Sequence, residues 1–179
     1  PQDPEIVVSG GFDIWLLQHK VSLVFTEKLR GKLYCAGVGD SQGAVSVTKV
    51  QVPGAGALYS DGQKLWFSTQ HHLHGFVRVA SNKGSKFAPI MTIATGARDI
   101  QDILLDSSGK PVYVSANNNC IATVDYGSPF IKTWQPSFIE KTQRHNCCHV
   151  SGMVHNGKDI RYTTIFSPTD TRSSWEYQF

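Results

Sequence analysis

One phrase occurs three times at nearly even spacing, and it constrains the fold more than any other feature of the chain. Leu58-Tyr59-Ser60-Asp61-Gly62-Gln63-Lys64-Leu65-Trp66-Phe67 returns as Leu104-Leu105-Asp106-Ser107-Ser108-Gly109-Lys110-Pro111-Val112-Tyr113-Val114. It returns again as Met153-Val154-His155-Asn156-Gly157-Lys158-Asp159-Ile160-Arg161-Tyr162-Thr163. Each copy reads as a strand, a polar turn carrying glycine, and a second strand, which is a hairpin. The turn glycines Gly62, Gly109 and Gly157 stand 47 and 48 residues apart. Hairpins recurring at about 40–50 residues are the signature of propeller blades.

The chain of 179 residues is long enough for one domain, residues 1–179, with a real core. Blades of about 45 residues give about 3.5 blades, whereas closed propellers usually hold four to eight. An open ring leaves sheet edges unpaired. The sequence therefore predicts an all-β partial propeller of antiparallel blades, its ring completed by missing residues, a protein partner or a second copy. Pro1, which is not an initiator, and Phe179, which ends a segment with no stop signal, fit that expectation.

Composition narrows the function classes. Lys and Arg total 17 against 14 acidic residues, a net charge of +3. The basic residues are scattered, with one loose group at Lys83, Lys86 and Arg98, so nucleic acid is not the expected partner. No apolar run approaches the about 20 residues of a membrane span, and the N-terminus lacks the layout of a signal peptide. Cys35 and Cys120 sit in apolar strand-like runs and read as small buried hydrophobes. Cys147 and Cys148 are adjacent, an arrangement that argues for free thiols. With no Asn-x-Ser/Thr sequon in the chain, these features point to a reducing, cytoplasmic setting.

Period-two alternation places the other strands. Glu5–Ser9 reads as a first short strand. Phe12–Leu17 and Val21–Phe25 read as strands, with a helical turn over Trp15–Lys20 as the alternative. Lys32–Gly37 pairs with Ala44–Val52 across the 39–43 turn. The second blade holds Ala55–Tyr59, Lys64–Thr69 and Gly75–Val79. The third holds Asp99–Asp106, Pro111–Ser115, Asn119–Asp125 and Phe130–Trp134. The fourth begins with His149–Val154 and Ile160–Ile165. Gln135–Asn146 is irregular, with a capping-box pattern from Ser137 to Glu140 that predicts a short helix over 137–144.

Three polar groups could carry chemistry. His145, Cys147, Cys148 and His149 are ligand types that zinc accepts, but the spacing is wrong for a structural zinc site and no second cluster completes it. His72 and His74 would share one face of an extended segment, a pair able to bind a transition metal, although a polar blade loop is the reading preferred. The third group is built at the channel. The first strand of each blade lines the central channel, so Asp99, Asp102, Asn117 and His149 would converge there. Such oxygen-rich convergence suits one divalent metal ion, with Asp102 and His149 as its first candidates. No phosphate loop, nucleophile elbow, H-E-x-x-H or C-x-x-C is present. Trp66, Trp134 and Trp175 read as packing between blades.

At these residues the chain resembles an uncharacterised bacterial conserved-hypothetical β-propeller family, a domain of unknown function sometimes attached to TPR repeats. The family's core runs D-I-H-D-L, N-x-x-x-S-C-L-A-T-L, W-x-P-P-F-I, C-H-L-N-G-L and T-D-T-x-x-G-W. The matching stretches are Asp99-Ile100-Gln101-Asp102-Ile103, Asn117–Val124, Trp134–Ile139, Cys148–Met153, and Thr169-Asp170-Thr171 followed by Trp175. The order and gaps agree over roughly residues 30 to 175. The resemblance implies a propeller about twice this length. Gln101 stands where the family has His, Ser151 where it has Asn, and Ser173-Ser174 where it has a glycine-rich turn. Cys148, His149, Asp102 and Asp170 remain as its polar positions.

Two functions follow as expectations. The first is a non-enzymatic binding or scaffold module, part of a larger assembly. The alternative is a metal-dependent hydrolase or lactonase-like propeller with an ion on the central axis, held by Asp99, Asp102, Asn117, His149 and Asp170, by analogy of fold alone.

Overall fold

The computed structural model of the chain describes residues 6–39, 43–81, 84–140, 145–156 and 159–177. Thirteen strands form four antiparallel sheets in chain order, each a meander of neighbouring hairpins. The first sheet holds β1 (Leu23–Glu27), β2 (Lys32–Val38) and β3 (Val45–Gln51). The second holds β4 (Leu58–Ser60), β5 (Lys64–Ser68), β6 (His72–Ser81) and β7 (Gly84–Ala94). The third holds β8 (Ile100–Leu105), β9 (Pro111–Ser115), β10 (Cys120–Asp125) and β11 (Ser128–Trp134). The fourth holds only β12 (Val150–His155) and β13 (Ile160–Ile165). No sheet closes on itself, so the architecture is that of a partial propeller.

In each occurrence of the phrase an Asp or Asn side chain bonds the backbone of its own turn. Asp61 Oδ1 accepts the amides of Gln63 and Lys64, Asp106 Oδ1 accepts those of Ser108 and Lys110, and Asn156 Oδ1 accepts that of Asp159. An Asp or Asn side chain bonding its own backbone a few residues on is what fixes such a turn. Gly62 and Gly109 supply the left-handed backbone at φ +84° and +81°. Gly157 lies outside the described residues.

The core consists of two packed seams, and the third sheet contributes to both. Tyr113, Cys120, Ala122 and Val124 face the second sheet, where they meet Ala57, Trp66 and Leu73. The alternate positions Val112, Val114 and Ile121 face the fourth sheet, where they meet Cys148, Val150 and Met153. A strand with apolar residues on both faces is the pattern of a sheet covered on both sides. The sequence shows both-face apolarity also in β3, yet Val50 there is 49% exposed. That strand is the outer edge of the first sheet, where no neighbour covers it.

Strand direction relates the four sheets to one another. β4, β8 and β12 lie side by side as the innermost strands, and the starts of β8 and β12 are at the same end. β1 runs the other way. Near its C-terminal end Thr26 donates to the carbonyl of Gly56, just before β4, and Lys28 reaches Asp99, just before β8. Its direction is therefore that of a second strand in a blade. Among the described residues, the first sheet holds no strand inside β1 and the fourth holds none beyond β13.

Several expectations change here. Residues 6–9 form no strand, and Glu5 lies outside the described residues. Phe12–His19 is a helix, α1, that seats Leu16 against β2. Its neighbours Ile14, Trp15 and Leu17 remain exposed, so apolar composition alone did not decide between strand and helix. β6 begins at His72 rather than Gly75, and β7 was not foreseen. Pro89 masked β7, because proline interrupts a strand pattern. It is accommodated on this edge strand by a register shift opposite Gly75 and Phe76. Ser137 and Phe138 form a turn rather than a helix start, and residues 141–144 lie outside the described residues.

Burial predicts a graded response to mutation. Ile103→Ala, at a side chain 1% exposed, should cost about 2–5 kcal/mol. Val50→Ala should stay within about 0.5 kcal/mol. Urea unfolding followed by circular dichroism measures both, with the midpoint moving and the slope constant.

Candidate functional site

The start of β8 and the start of β12 are built alike. Asp99 directly precedes β8 and His149 directly precedes β12, and both hold a left-handed backbone, at φ +56° and +49°. Asp and His are among the non-glycine residues enriched in that region. The Asp99 carbonyl accepts the amide of Ala116, just past β9, and the His149 carbonyl accepts that of Phe166, just past β13. Each inner strand then shifts register two residues later, between Ile100 and Asp102 and between Val150 and Gly152. Such bulges re-aim side chains. The residues at the two bulges are Gln101 and Ser151, two of the three places where the chain departs from the pattern it resembles.

Three sheets converge at this end of the channel. Lys28 from the first sheet pairs with Asp99 from the third at 2.8 Å, with both side chains partly in solvent. Gln101 donates to the same carboxylate oxygen at 2.6 Å. Burial holds the His149 imidazole below its ordinary pKa, Asp99 pulls it up and Lys28 pushes it down, so all three share one electrostatic environment. The ring of His149 is fixed by the side chain of Asn146 at 2.7 Å and by an edge contact with Phe166. Asn146 Oδ1 also accepts the His149 amide.

Asp102 does other work. Its Oδ1 accepts the amide of Ile103 and its Oδ2 accepts the amide of Met153, at 2.8 Å each. The carboxylate thus ties β8 to β12 across the seam between two sheets. Burial pushes its pKa above the usual carboxylate range, against the pull of those two amides. Asn117 sits half-buried in the turn between β9 and β10, which opens at the same end as Asp99.

Cys148 belongs to a clasp that sequence reading missed. Asn119, fully buried and left-handed at φ +50°, accepts the amides of Cys147 and Cys148 on Oδ1 and donates to the His145 carbonyl at 2.7 Å. The Cys148 thiol also points at that Oδ1. One side chain therefore ties residues 145, 147 and 148 to the start of β10. The only signal in the sequence was a third Asn in a run of three, which does not tell a buried Asn from a solvated one. Burial pushes the Cys148 thiol up to about 11, and burial with the nearby Asp170 carboxylate raises Cys147. Neither forms a disulfide, and burial favours the thiol over the thiolate at both. Asp170 is half-buried, and its Oδ1 has no hydrogen-bond partner among the described residues.

The structure thus brings Asp99 and His149 together at the channel end. It uses Asp102 and Cys148 inside the seam. Among the described residues, no three His, Cys, Asp or Glu side chains are placed to hold a metal ion. His72 and His74 do share a face of β6, with ring centroids 6.0 Å apart. His74 is held by the hydroxyls of Thr69 and Thr92 on its two nitrogens and stacks on Phe67. No helix is long and apolar enough to cross a membrane.

The two carboxylates should respond differently to removal. Asp102→Ala leaves the Ile103 and Met153 amides without their acceptor and is expected to cost about 1–3 kcal/mol. Asp99→Asn breaks a partly exposed ion pair while keeping a residue type suited to the left-handed backbone, and should cost less than about 1 kcal/mol. Thermal unfolding at pH 7 separates the two.

No curated protein matches the chain. A family model does, across residues 10–178. That span takes in all four sheets, α1 and the channel end. The chain belongs to the family described as a domain of unknown function, DUF4915.

Proposed function

We propose that this domain is a non-enzymatic binding and scaffold module of the propeller type, working as part of a larger assembly that completes its ring. The observation that carries the reading is the direction of β1. Among the described residues, the first sheet begins with a strand in second position, and at the other end of the arc the fourth sheet holds two strands. The two interior sheets have four strands each.

Exposed apolar side chains support it. Trp15, Leu17 and Phe25 at one end of the arc and Val154 and Tyr162 at the other are 44–76% exposed. The seams between the interior sheets bury the same kinds of residue. Apolar surface gathered at two ends is what an interface between subunits offers. The polar cluster of Lys28, Asp99, Gln101 and His149 stands where the completed channel would open, and it gives the assembly a binding face.

Native mass spectrometry tests the reading. The purified chain is expected at twice its 19.7 kDa mass or more. The double variant Leu17→Arg, Tyr162→Arg should shift it toward the single-chain mass. A monodisperse 19.7 kDa species with full β-sheet dichroism and a cooperative melt would overturn it.

A further inference from the structure

The three inner strands enter the channel end by one repeated device. Gly54, Asp99 and His149 stand seven residues before the turn residues Asp61, Asp106 and Asn156. All three are left-handed, at φ +74°, +56° and +49°. Gly56, Gln101 and Ser151 follow, five residues before the same turn residues. Three sheets thus offer equivalent positions with different chemistry. The third offers a carboxylate and an amide, and the fourth an imidazole and a hydroxyl. The second offers no side chain at all, since both of its positions are glycine.

The first sheet reaches across that gap. Thr26 donates to the Gly56 carbonyl at 2.6 Å, and Lys28 passes on to the Asp99 carboxylate of the third sheet at 2.8 Å. The Lys28 side chain is 59% exposed and that of Asp99 34%. An ammonium on a flexible alkyl stem therefore already sits on Asp99, open to solvent. Such an exposed pair is weak, so a competing cation displaces it at little cost. Lys28 and Gln101 both donate to Oδ1 of Asp99. Among the described residues, no hydrogen bond reaches its Oδ2 or the Oε1 of Gln101. Burial holds the neighbouring His149 imidazole below its ordinary pKa, so it adds no full positive charge at neutral pH.

We infer that Asp99 receives an ammonium or guanidinium group carried by a ligand, and that Lys28 occupies the place until the ligand displaces it. The carboxylate gives a charge-assisted hydrogen bond, and Gln101 Oε1 is placed beside it as a second acceptor. The inference rests on the reading of the channel end as a binding face, and it names the chemistry that face selects.

The test is titration of the isotope-labelled full chain at pH 7 with N-acetyl-lysine methylamide, followed by the amide signals of Asp99 and Gln101. The uncharged norleucine analogue is the control. Lys28→Ala should bind the lysine probe up to about fivefold more tightly than the unsubstituted chain, since the internal competitor is gone. Asp99→Asn, which keeps a residue suited to the left-handed backbone, should bind about tenfold or more weakly. Melting temperatures of both variants confirm that the fold is kept. No saturable shift in Lys28→Ala, equal affinity in all three chains, or equal binding of the norleucine analogue would overturn the inference. Ring completion is decided separately, by mass. A chain fixed at 19.7 kDa that binds the lysine probe keeps this site and loses ring completion. An assembly that ignores the probe loses this site alone.

Discussion

A sheet that is apolar on both faces needs a neighbour on each, and the third sheet sets that requirement for the whole chain. β9 divides its side chains between two cores, Tyr113 toward the second sheet and Val112 and Val114 toward the fourth. β10 does the same with Ala122 and Ile121. Neither neighbouring sheet can be removed without returning one of these faces to water, at a cost of roughly 25 cal/mol for each Å² exposed. The same rule applied outward meets a limit at the first and fourth sheets. Their apolar residues reach the ends of the arc with nothing described beyond them.

Two polar side chains fix how the seams are aligned. Asp102 spans from β8 to the Met153 amide of β12, and Asn119 holds the loop that delivers the chain into β12. Both sit where apolar packing alone would let the sheets slide. Buried polar groups with satisfied partners specify one arrangement more sharply than apolar contact does. Once β12 is set by these two, His149 is presented at its start, beside Asp99 and within the field of Lys28. The channel-end cluster is thus a consequence of the seam. The repeated left-handed residue and bulge carry the same design from one blade to the next.

The repeat was legible in the sequence because its turns are local. Asp61, Asp106 and Asn156 bond to amides two to four residues away, so their effect can be read without knowing the fold. The strands of the third sheet were legible for a related reason, since both of their faces are apolar. What failed was non-local. α1 is apolar enough to pass for a strand, and only its seat on β2 makes it a helix. β7 hid behind Pro89, whose missing N–H is harmless on an edge. Residue type and position alone point Asp102 toward the channel, and they give no sign of its role in the seam. Its actual partners, Ile103 and Met153, include one 51 residues away. Asn119 gave no warning at all, because burial of an Asn cannot be read from its neighbours.

Hydrogen exchange, followed strand by strand, tests most directly the claim that the end sheets are unfinished blades. In the isolated chain, the account predicts the slowest exchange in β9 and β10 and fast exchange in β1 and β13. In the assembled form, β1 and β13 should gain protection while β9 and β10 stay unchanged. Protection of β1 and β13 equal to that of β9 and β10 in a lone monomer would contradict it, because their free edges would then already be covered within one chain.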